Sequence, residues 1–420
     1  MRLLIKSVTI LWENSDFHQL NQDVFLEDGI IRQIGTHLDI PDVEVWHEEG
    51  SYLSAGWFDL DANFGEPGFE NREDLETGSQ AALSGGFTGL ALMPNTQPAF
   101  HAKTQIEFIK NKARELPIDL FPIGCISKNR EGREMAELFD MYQTGALAFS
   151  DGDRPLENSG LLLRALQYTR PFHAKIFSYP EEISLSGSAK VHEGINSLRL
   201  GMKGIPSLSE EWMIQRDLMI AVYAESPIHF TSVSSSGAVE LIREAKAKGQ
   251  KVTASVPSYH LVLDDGNLSD FDTNYKVRPP LRSERDKNAL IHGLKDGTID
   301  AITSRHTPHE IEYKAVEFEL ALDGIVNLQT CFPLAIQGLG LESLNTLIRA
   351  LTIKPRAIMG LSQPELKIGE SANFCWFHPD KNWIFDKKSL KGKSFNSPFL
   401  NKEMRGKVLG VVFKNRNTQF

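Results

Sequence analysis

Residues 1–55 alternate apolar and polar positions, which is typical of strands that bury one face. Two such segments flank Asp28-Gly29, and an Asp-Gly pair in that setting is a strong signal for a type I′ hairpin turn. Residues 362–420 have the same character, with strands predicted over Asn373 to Phe377 and Val408 to Lys414. We therefore predict that the two ends of the chain join in one small β-sandwich domain.

Residues 56–361 show a different pattern, in which short apolar segments alternate with amphipathic helical segments. Eight strands are predicted, over Trp57 to Asp61, Phe87 to Met93, Ile118 to Cys125, Ala146 to Ser150, Phe172 to Phe177, Ile228 to Val233, Val252 to Val256 and Ile299 to Ser304. Eight strand–helix units in about 300 residues predict a (β/α)8 TIM-type barrel. A doubly wound sheet is the alternative, but no Gly-x-Gly-x-x-Gly motif follows any of these strands.

The composition narrows the class of protein. The net charge of the 420 residues is -10, which argues against a general nucleic-acid-binding surface, since phosphate binding needs basic side chains. The three cysteines, Cys125, Cys331 and Cys375, are far apart and form no Cys-x-x-Cys pair, so neither a disulfide framework nor a thiolate zinc site is expected. No apolar run approaches the ~20 residues that span a membrane, and the N-terminus does not have the pattern of a signal peptide. We expect a cytoplasmic protein.

In a barrel of this kind the chemistry lies where the strands end at their carboxyl side. The polar residues predicted there are Asp61 and Asn63 after the first strand, Asn95 after the second, Asp151 and Asp153 after the fourth, Lys175 within the fifth, Ser232 at the end of the sixth, and Arg305, His306 and His309 after the eighth. His306 and His309 have a spacing that could suggest a metal site. On a strand-to-loop segment that spacing does not turn both rings to one side, so His306 is interpreted as structural and His309 as a residue of the pocket.

Several motifs carry a family resemblance over nearly the whole chain. They are Asp59-Leu60 followed by Glu66-Pro67-Gly68, Glu73-Asp74-Leu75-Glu76-Thr77-Gly78, Gly85-Gly86-Phe87-Thr88, Met93-Pro94-Asn95-Thr96, Val277-Arg278-Pro279-Pro280, His306-Thr307-Pro308-His309 and Gly324-Ile325-Val326-Asn327. In this order the chain resembles the dihydroorotase family of amidohydrolases, with allantoinase-like and hydantoinase-like proteins as the nearest alternatives. The resemblance implies a barrel, cyclic amide hydrolysis in pyrimidine synthesis, and one or two zinc ions in active members.

The resemblance also assigns positions to the family's metal site, and most of them have changed. The former metal-site positions are Asp61, Asn63, Asp151, Asp153, Lys175, Ser232 and Arg305, the last at the position of the general base. Arg278 matches a substrate-binding asparagine, while Asn95 and His309 match substrate-contacting positions that are kept. Zinc needs histidine, thiolate or carboxylate ligands, and a cation such as arginine cannot serve. We therefore expect no metal and no other cofactor.

Buried carboxylates that lose a metal need another positive charge. Lys175 and Arg305 are predicted to supply it through ion pairs with Asp61, Asp151 or Asp153. The alternative is that both cations extend to solvent at the barrel mouth.

Three functional hypotheses follow. The first is a catalytically inactive dihydroorotase-like protein with a scaffolding, regulatory or ligand-binding role, for which the resemblance implies aspartate carbamoyltransferase as a partner. The second is an active dihydroorotase with an atypical or metal-free site, which leaves open whether the chain is an enzyme. The third is a small anionic ligand bound by Lys175, Arg278 and Arg305. A homodimer is expected, because closed two-fold dimers are the commonest oligomers.

Overall fold

Strands occupy the two ends of the chain and alternate with helices in its middle, in a computed structural model that describes all 420 residues. The strands are β1 (Arg2–Leu11), β2 (Asn21–Glu27), β3 (Ile30–Gly35), β4 (Glu44–His47), β5 (Tyr52–Ala55), β6 (Trp57–Ala62), β7 (Phe87–Leu92), β8 (Asp119–Pro122), β9 (Ala148–Phe149), β10 (Lys175–Ser178), β11 (Val191–His192), β12 (Gly204–Ile205), β13 (Ile228–Phe230), β14 (Val252–Pro257), β15 (Ala301–Thr303), β16 (Phe374–Phe385), β17 (Lys402–Phe413) and β18 (Arg416–Gln419).

The α-helices lie mainly between the strands of the middle region. They are α1 (Leu75–Ser84), α2 (Lys103–Lys112), α3 (Leu138–Thr144), α4 (Ser159–Thr169), α5 (Ile183–Ser186), α6 (Ile195–Leu200), α7 (Ser207–Tyr223), α8 (Ser236–Ala247), α9 (Glu284–Lys295), α10 (Cys331–Leu339), α11 (Leu344–Leu351) and α12 (Ile353–Met359). Short 3-10 turns occur at Lys128–Arg130, Arg170–Phe172, Ser258–Leu261, Asp265–Leu268, Thr273–Tyr275, Ile311–Tyr313 and Leu341–Ser343. None of these helices has the length and apolar character that crossing a membrane requires.

Eight strands from the two chain ends form a single sheet in the order β18-β17-β16-β5-β1-β2-β3, with β4 paired to β1. The two ends meet where β5 pairs antiparallel with β16, with Ala55 opposite Phe374. Trp46 stacks on Trp376 across this junction, with ring centroids 5.3 Å apart. At the β2–β3 hairpin both Asp28 and Gly29 have positive φ, at 51° and 73°, as a type I′ turn requires.

The middle of the chain closes into a parallel eight-stranded barrel. One sheet contains β6-β7-β8 and another contains β15-β14-β13-β10-β9. Two parallel bridges join them, Gly124 to Phe149 between β8 and β9 and Ala62 to His306 between the ends of β6 and β15. The chain thus has the parallel barrel that the alternation of strands and helices predicts, and the strands of its attached β domain form one continuous sheet.

Local signals explain where the elements begin and end. Asp74 caps α1 by accepting the backbone N–H of Thr77 at 2.7 Å, and Ser235 caps α8 through the N–H of Ala238. Gly85 ends α1, and Gly86 follows with a φ of 90°, which a side chain would strain. All eight predicted barrel strands are present, but most are shorter than predicted, and β10 begins only at Lys175.

Candidate functional site

An ion pair lies at the mouth of the barrel. Arg305 follows the end of β15 and Asp61 lies near the end of β6, two strands that the bridge between Ala62 and His306 holds side by side. Arg305 Nη1 donates to Asp61 Oδ2 at 2.7 Å, and both side chains are buried. The predicted pairing is therefore confirmed for Arg305, at positions that the family resemblance assigns to a metal site.

Further contacts fix the guanidinium of Arg305. Its Nε donates to the carbonyl oxygen of Arg278 at 2.9 Å, and its Cζ lies 5.0 Å from the centre of the Tyr179 ring. Burial lowers the pKa of Arg305, but the charge of Asp61 outweighs that effect, so the pKa rises above its ordinary value. Arg305 thus stays a cation and does not extend to solvent.

Asp61 has few other partners. The hydroxyl of Ser232, at the end of the sixth barrel strand, donates to Asp61 Oδ2 at 3.2 Å, while Oδ1 accepts no hydrogen bond. The amide nitrogen of Asn63 donates to the His306 carbonyl and to Thr307 Oγ1, each at 3.1 Å. Asp61 therefore depends on Arg305 for its charge balance.

The two carboxylates after the fourth strand are held elsewhere. Asp151 accepts the backbone N–H of Ser127 at 2.9 Å and also the hydroxyl of the same serine. Burial raises the pKa of Asp151, and the hydrogen bonds from Ser127, which lower it, offset only part of that rise. Asp153 is half exposed and pairs with Arg130. Neither carboxylate makes an ion pair with Lys175 or Arg305.

The prediction for Lys175 is wrong. Lys175 is the first residue of β10, so it lies at the amino end of that strand, away from the barrel mouth, and no carboxylate oxygen lies within 4.0 Å of it. The carboxyl end of the strand is Ser178, whose hydroxyl donates to Asp217 at 2.6 Å, followed by Tyr179. The cause of the error is the predicted start at Phe172, because residues 170–172 form a 3-10 turn instead.

Arg278 is also neutralised by a partner. Its Nε donates to Glu181 Oε2 at 2.8 Å, and its Nη2 contacts Oε1 of the same carboxylate. Burial alone would raise the pKa of Glu181, but Arg278 lowers it overall. Arg278 and Arg305 each form an ion pair with a carboxylate, and Lys175 lies at the end of β10 that is away from the barrel mouth. The three cations that the sequence suggested for an anionic ligand do not converge.

A cavity of about 300 Å³ is lined by Asn63 and Thr307, which follow Asp61 and Arg305 closely in the chain, and by the other two predicted pocket residues, Asn95 and His309. His309 Nε2 lies 3.0 Å from the carbonyl of Asp323, which can only accept, so a neutral His309 presents Nδ1 as an acceptor. Burial lowers the pKa of His309 to about 4, which keeps the ring neutral. Nδ1 of His309 and Oδ1 of Asn95 have no hydrogen-bond partner.

The sequence did not reveal that residues from the C-terminal stretch would reach the mouth. Asn396, between β16 and β17, donates to the carbonyls of Thr307 and Gly324 at 2.9 and 3.0 Å and accepts the N–H of His309 at 3.0 Å. No local signal marks it. Tyr179 and Glu181 were also missed, although the strand-end rule would have found them if β10 had been placed correctly.

The side chains present do not fit the zinc that the family resemblance implies. No group of three or more histidine, cysteine, aspartate or glutamate side chains converges to hold a metal ion. Asp61 is paired with Arg305, and Asp151 is hydrogen-bonded to Ser127. Asn63 donates its amide N–H groups to one backbone oxygen and one hydroxyl oxygen. A zinc ion at this place would have to displace a buried guanidinium.

Comparison with known proteins places the chain in a family. Residues 50–238 match a family model described as dihydro-orotase-like. A dihydroorotase of Acetivibrio thermocellus is 40% identical over 390 residues, which cover 92% of each chain. The chain belongs to the dihydroorotase family. A dihydroorotase of Pelobacter propionicus is 36% identical over 420 residues and 99% of each chain.

Solved structures extend the comparison at the level of the fold. The L-hydantoinase (dihydropyrimidinase) of Arthrobacter aurescens superposes with a TM-score of 0.84 at 21% identity, over 99% of this chain and 96% of that one. A D-hydantoinase (dihydropyrimidinase) from Thermus sp. gives a TM-score of 0.80 at 20% identity, over 99% and 94%. At these identities the likeness shows a shared barrel with its β domain.

Proposed function

We propose that this member of the dihydroorotase family does not hydrolyse cyclic amides with zinc at its barrel mouth and keeps the fold for a scaffolding, regulatory or ligand-binding role. The observation that carries the proposal is the buried pair of Arg305 and Asp61. The family resemblance assigns these two positions to a metal ligand and to the general base, and Arg305 remains a cation at neutral pH. Without a carboxylate or histidine at position 305, the mouth offers no base where the family keeps one.

The second candidate is an active dihydroorotase, which interconverts carbamoyl aspartate and dihydroorotate. The relatives support it more directly than the first, because matches of 36–40% identity over at least 92% of the chain are named dihydroorotase. Such an enzyme would need a displaced metal site or a metal-free mechanism. Burial raises the pKa of Asp59 to about 7, a value suited to a base, but this carboxyl is fully buried beneath Ser304.

One pair of measurements separates the two candidates. The purified chain is incubated with zinc, freed of excess metal and analysed for zinc by mass spectrometry and for turnover of carbamoyl aspartate and dihydroorotate. The dihydroorotase of Acetivibrio thermocellus, treated in parallel, serves as the positive control. We expect no stoichiometric zinc and no turnover above background. Turnover that depends on this chain would instead establish the second candidate.

The proposed scaffolding role has a candidate partner in aspartate carbamoyltransferase. The partner is tested by sedimentation velocity of the two purified proteins, alone and mixed at micromolar concentration. A faster boundary that contains both proteins is expected. If the two proteins sediment independently, the scaffolding role with this partner is wrong, and a regulatory or ligand-binding role remains.

A further inference from the structure

The cavity lined by Asn95 and His309 has a one-sided set of polar atoms. It measures about 300 Å³, a volume that suits a small molecule. Three of its lining side chains, Asn63, Asn95 and His309, each have an acceptor atom without a hydrogen-bond partner in the protein. These atoms are Oδ1 of the two asparagines and Nδ1 of the histidine. Buried polar atoms of native proteins are nearly always bonded, so three such acceptors around one cavity require an explanation.

The contacts of Asn63 determine which end of its amide is free. Its Nδ2 donates to the carbonyl oxygen of His306 and to the hydroxyl oxygen of Thr307, each at 3.1 Å. A carbonyl oxygen only accepts, and the Thr307 hydroxyl donates its own proton to the carbonyl oxygen of Arg305 at 3.1 Å. Turning the amide round would therefore set oxygen against oxygen. Asn63, which is more than nine-tenths buried, thus presents an acceptor.

The acceptor of His309 is determined in the same way. Nε2 must carry the proton that it donates to the carbonyl oxygen of Asp323 at 3.0 Å, so Nδ1 keeps its lone pair. Burial lowers the pKa of His309 to about 4, so the ring does not gain a second proton at neutral pH. This side chain is also more than nine-tenths buried. No contact fixes the amide of Asn95, which can turn its oxygen toward a donor.

The arginines of the cavity wall are already neutralised. Arg72 Nε donates to Glu310 at 3.0 Å, and Arg130 pairs with Asp153. The carboxylate of Asp323, by contrast, lines the cavity and makes no hydrogen bond and no ion pair with the protein. Once the pairs are counted out, the wall is left with acceptors and one unpaired negative charge.

Two lysines lie near Asp323 without entering the cavity. Lys276 and Lys314 direct their ammonium groups to backbone carbonyl oxygens, mainly those of residues 318–324, and neither lines the cavity. Burial raises the pKa of Asp323 by more than these lysines and the other nearby cations lower it. Asp323 is therefore a largely buried carboxylate that a further cation in the cavity would stabilise.

We propose that this cavity binds a small organic cation, whose ammonium N–H groups donate to Asn63, Asn95 and His309. Asp323 supplies the opposite charge. The inference rests on the ligand-binding form of the proposed function. An ammonium group carries three N–H donors and no acceptor, which agrees with the three acceptors of the wall. A carboxylate in this place would meet lone pairs and no free cation.

Three compounds of equal chain length test the head group directly. Butylammonium, butyramide and butyrate share one carbon chain and differ in presenting a cation, a neutral amide or an anion. Their binding to the full-length chain at neutral pH is measured by titration with saturation-transfer difference NMR. We expect butylammonium to bind at least about 10-fold more tightly than either of the others, because charge-assisted hydrogen bonds are the strong ones.

Substitutions in the wall locate the site. Asp323→Asn removes the charge and keeps the shape, and Asn95→Leu removes an acceptor that bonds to no other group of the protein, so the fold does not depend on it. Each should weaken butylammonium binding about 5-fold or more. Asp270→Asn, at an exposed position outside the cavity, is the matched control and should leave binding unchanged.

Three results would overturn the inference. They are binding of butyrate or butyramide as tight as that of butylammonium, no binding of any of the three compounds, and butylammonium binding that both wall variants leave unchanged. None of them would restore zinc hydrolysis, since the proposed absence of that reaction fails only if the chain turns over carbamoyl aspartate or dihydroorotate. The two proposals can therefore fail separately.

Discussion

Replacing Arg305 with methionine removes the only ion-pair partner of Asp61. At 2.7 Å the attraction between the two charges is about 6 kcal/mol at an effective dielectric constant of 20. Desolvation of both groups offsets much of this in the folded protein. After the substitution, Asp61 would be a buried carboxylate whose one remaining donor is the Ser232 hydroxyl at 3.2 Å.

The free energy of unfolding should therefore fall by about 3–5 kcal/mol in Arg305→Met, the usual cost of leaving one partner of a buried pair alone. Removing the second charge should restore stability, so Arg305→Met with Asp61→Asn should recover at least about 2 kcal/mol of the loss. Arg243→Met is the matched control. Its partners Glu240 and Asp296 are both well exposed, and loss of the arginine should cost no more than about 1 kcal/mol.

The assay is urea denaturation followed by tryptophan fluorescence and circular dichroism. Asp61→Asn is also measured alone, so that four variants are compared with the wild type. Two results would refute the reasoning. One is a loss below about 1 kcal/mol in Arg305→Met, which would mean that the pair is weak or open in solution. The other is a double variant that is as unstable as the two single variants together, which would mean that the two side chains do not interact.

Three further predictions follow from the site. Arg305→Asp should neither bind zinc nor gain turnover, because Asn63, Ser178 and Ser232 still offer no ligand set, and zinc analysis with the carbamoyl aspartate assay checks this. Asp59→Asn should flatten the dependence of stability on pH. The pKa of Asp59 is raised from about 3.9 in the unfolded chain to about 7, so its contribution is full below pH ~3.9 and is lost as the pH rises through ~7, by up to about 4 kcal/mol in chemical denaturation. Asn396→Ala should free residues 386–401 from the mouth and speed their cleavage by a protease, whereas Asn382→Ala, at an exposed position of β16, should not.

The sequence was most informative where local chemistry determines structure. The alternation of apolar strand segments with helical segments was enough to predict eight strands and a barrel. The Asp28-Gly29 pair was enough to predict the hairpin turn between β2 and β3. The pair of Arg305 and Asp61 could be predicted because both lie at or just after the carboxyl ends of barrel strands, and such positions meet at one end of the barrel.

The errors have equally physical origins. A difference of three residues at the start of β10 moves Lys175 from within the strand to its amino end, and strand boundaries are the least certain feature of a pattern. Glu181 and Arg278 are 97 residues apart, and Asn396 is 87 residues from His309. Contacts over such separations depend on how loops pack, which a local pattern does not encode.

The central claim is that a cation of the chain itself occupies the place of a metal ion. A crystal structure grown with excess zinc, with anomalous data collected at the zinc edge, tests it most directly. The account predicts Arg305 Nη1 within hydrogen-bonding distance of Asp61 Oδ2, as in the 2.7 Å contact described above, and no anomalous peak at the barrel mouth. A zinc ion bound by Asp61, with Arg305 displaced toward solvent, would contradict it.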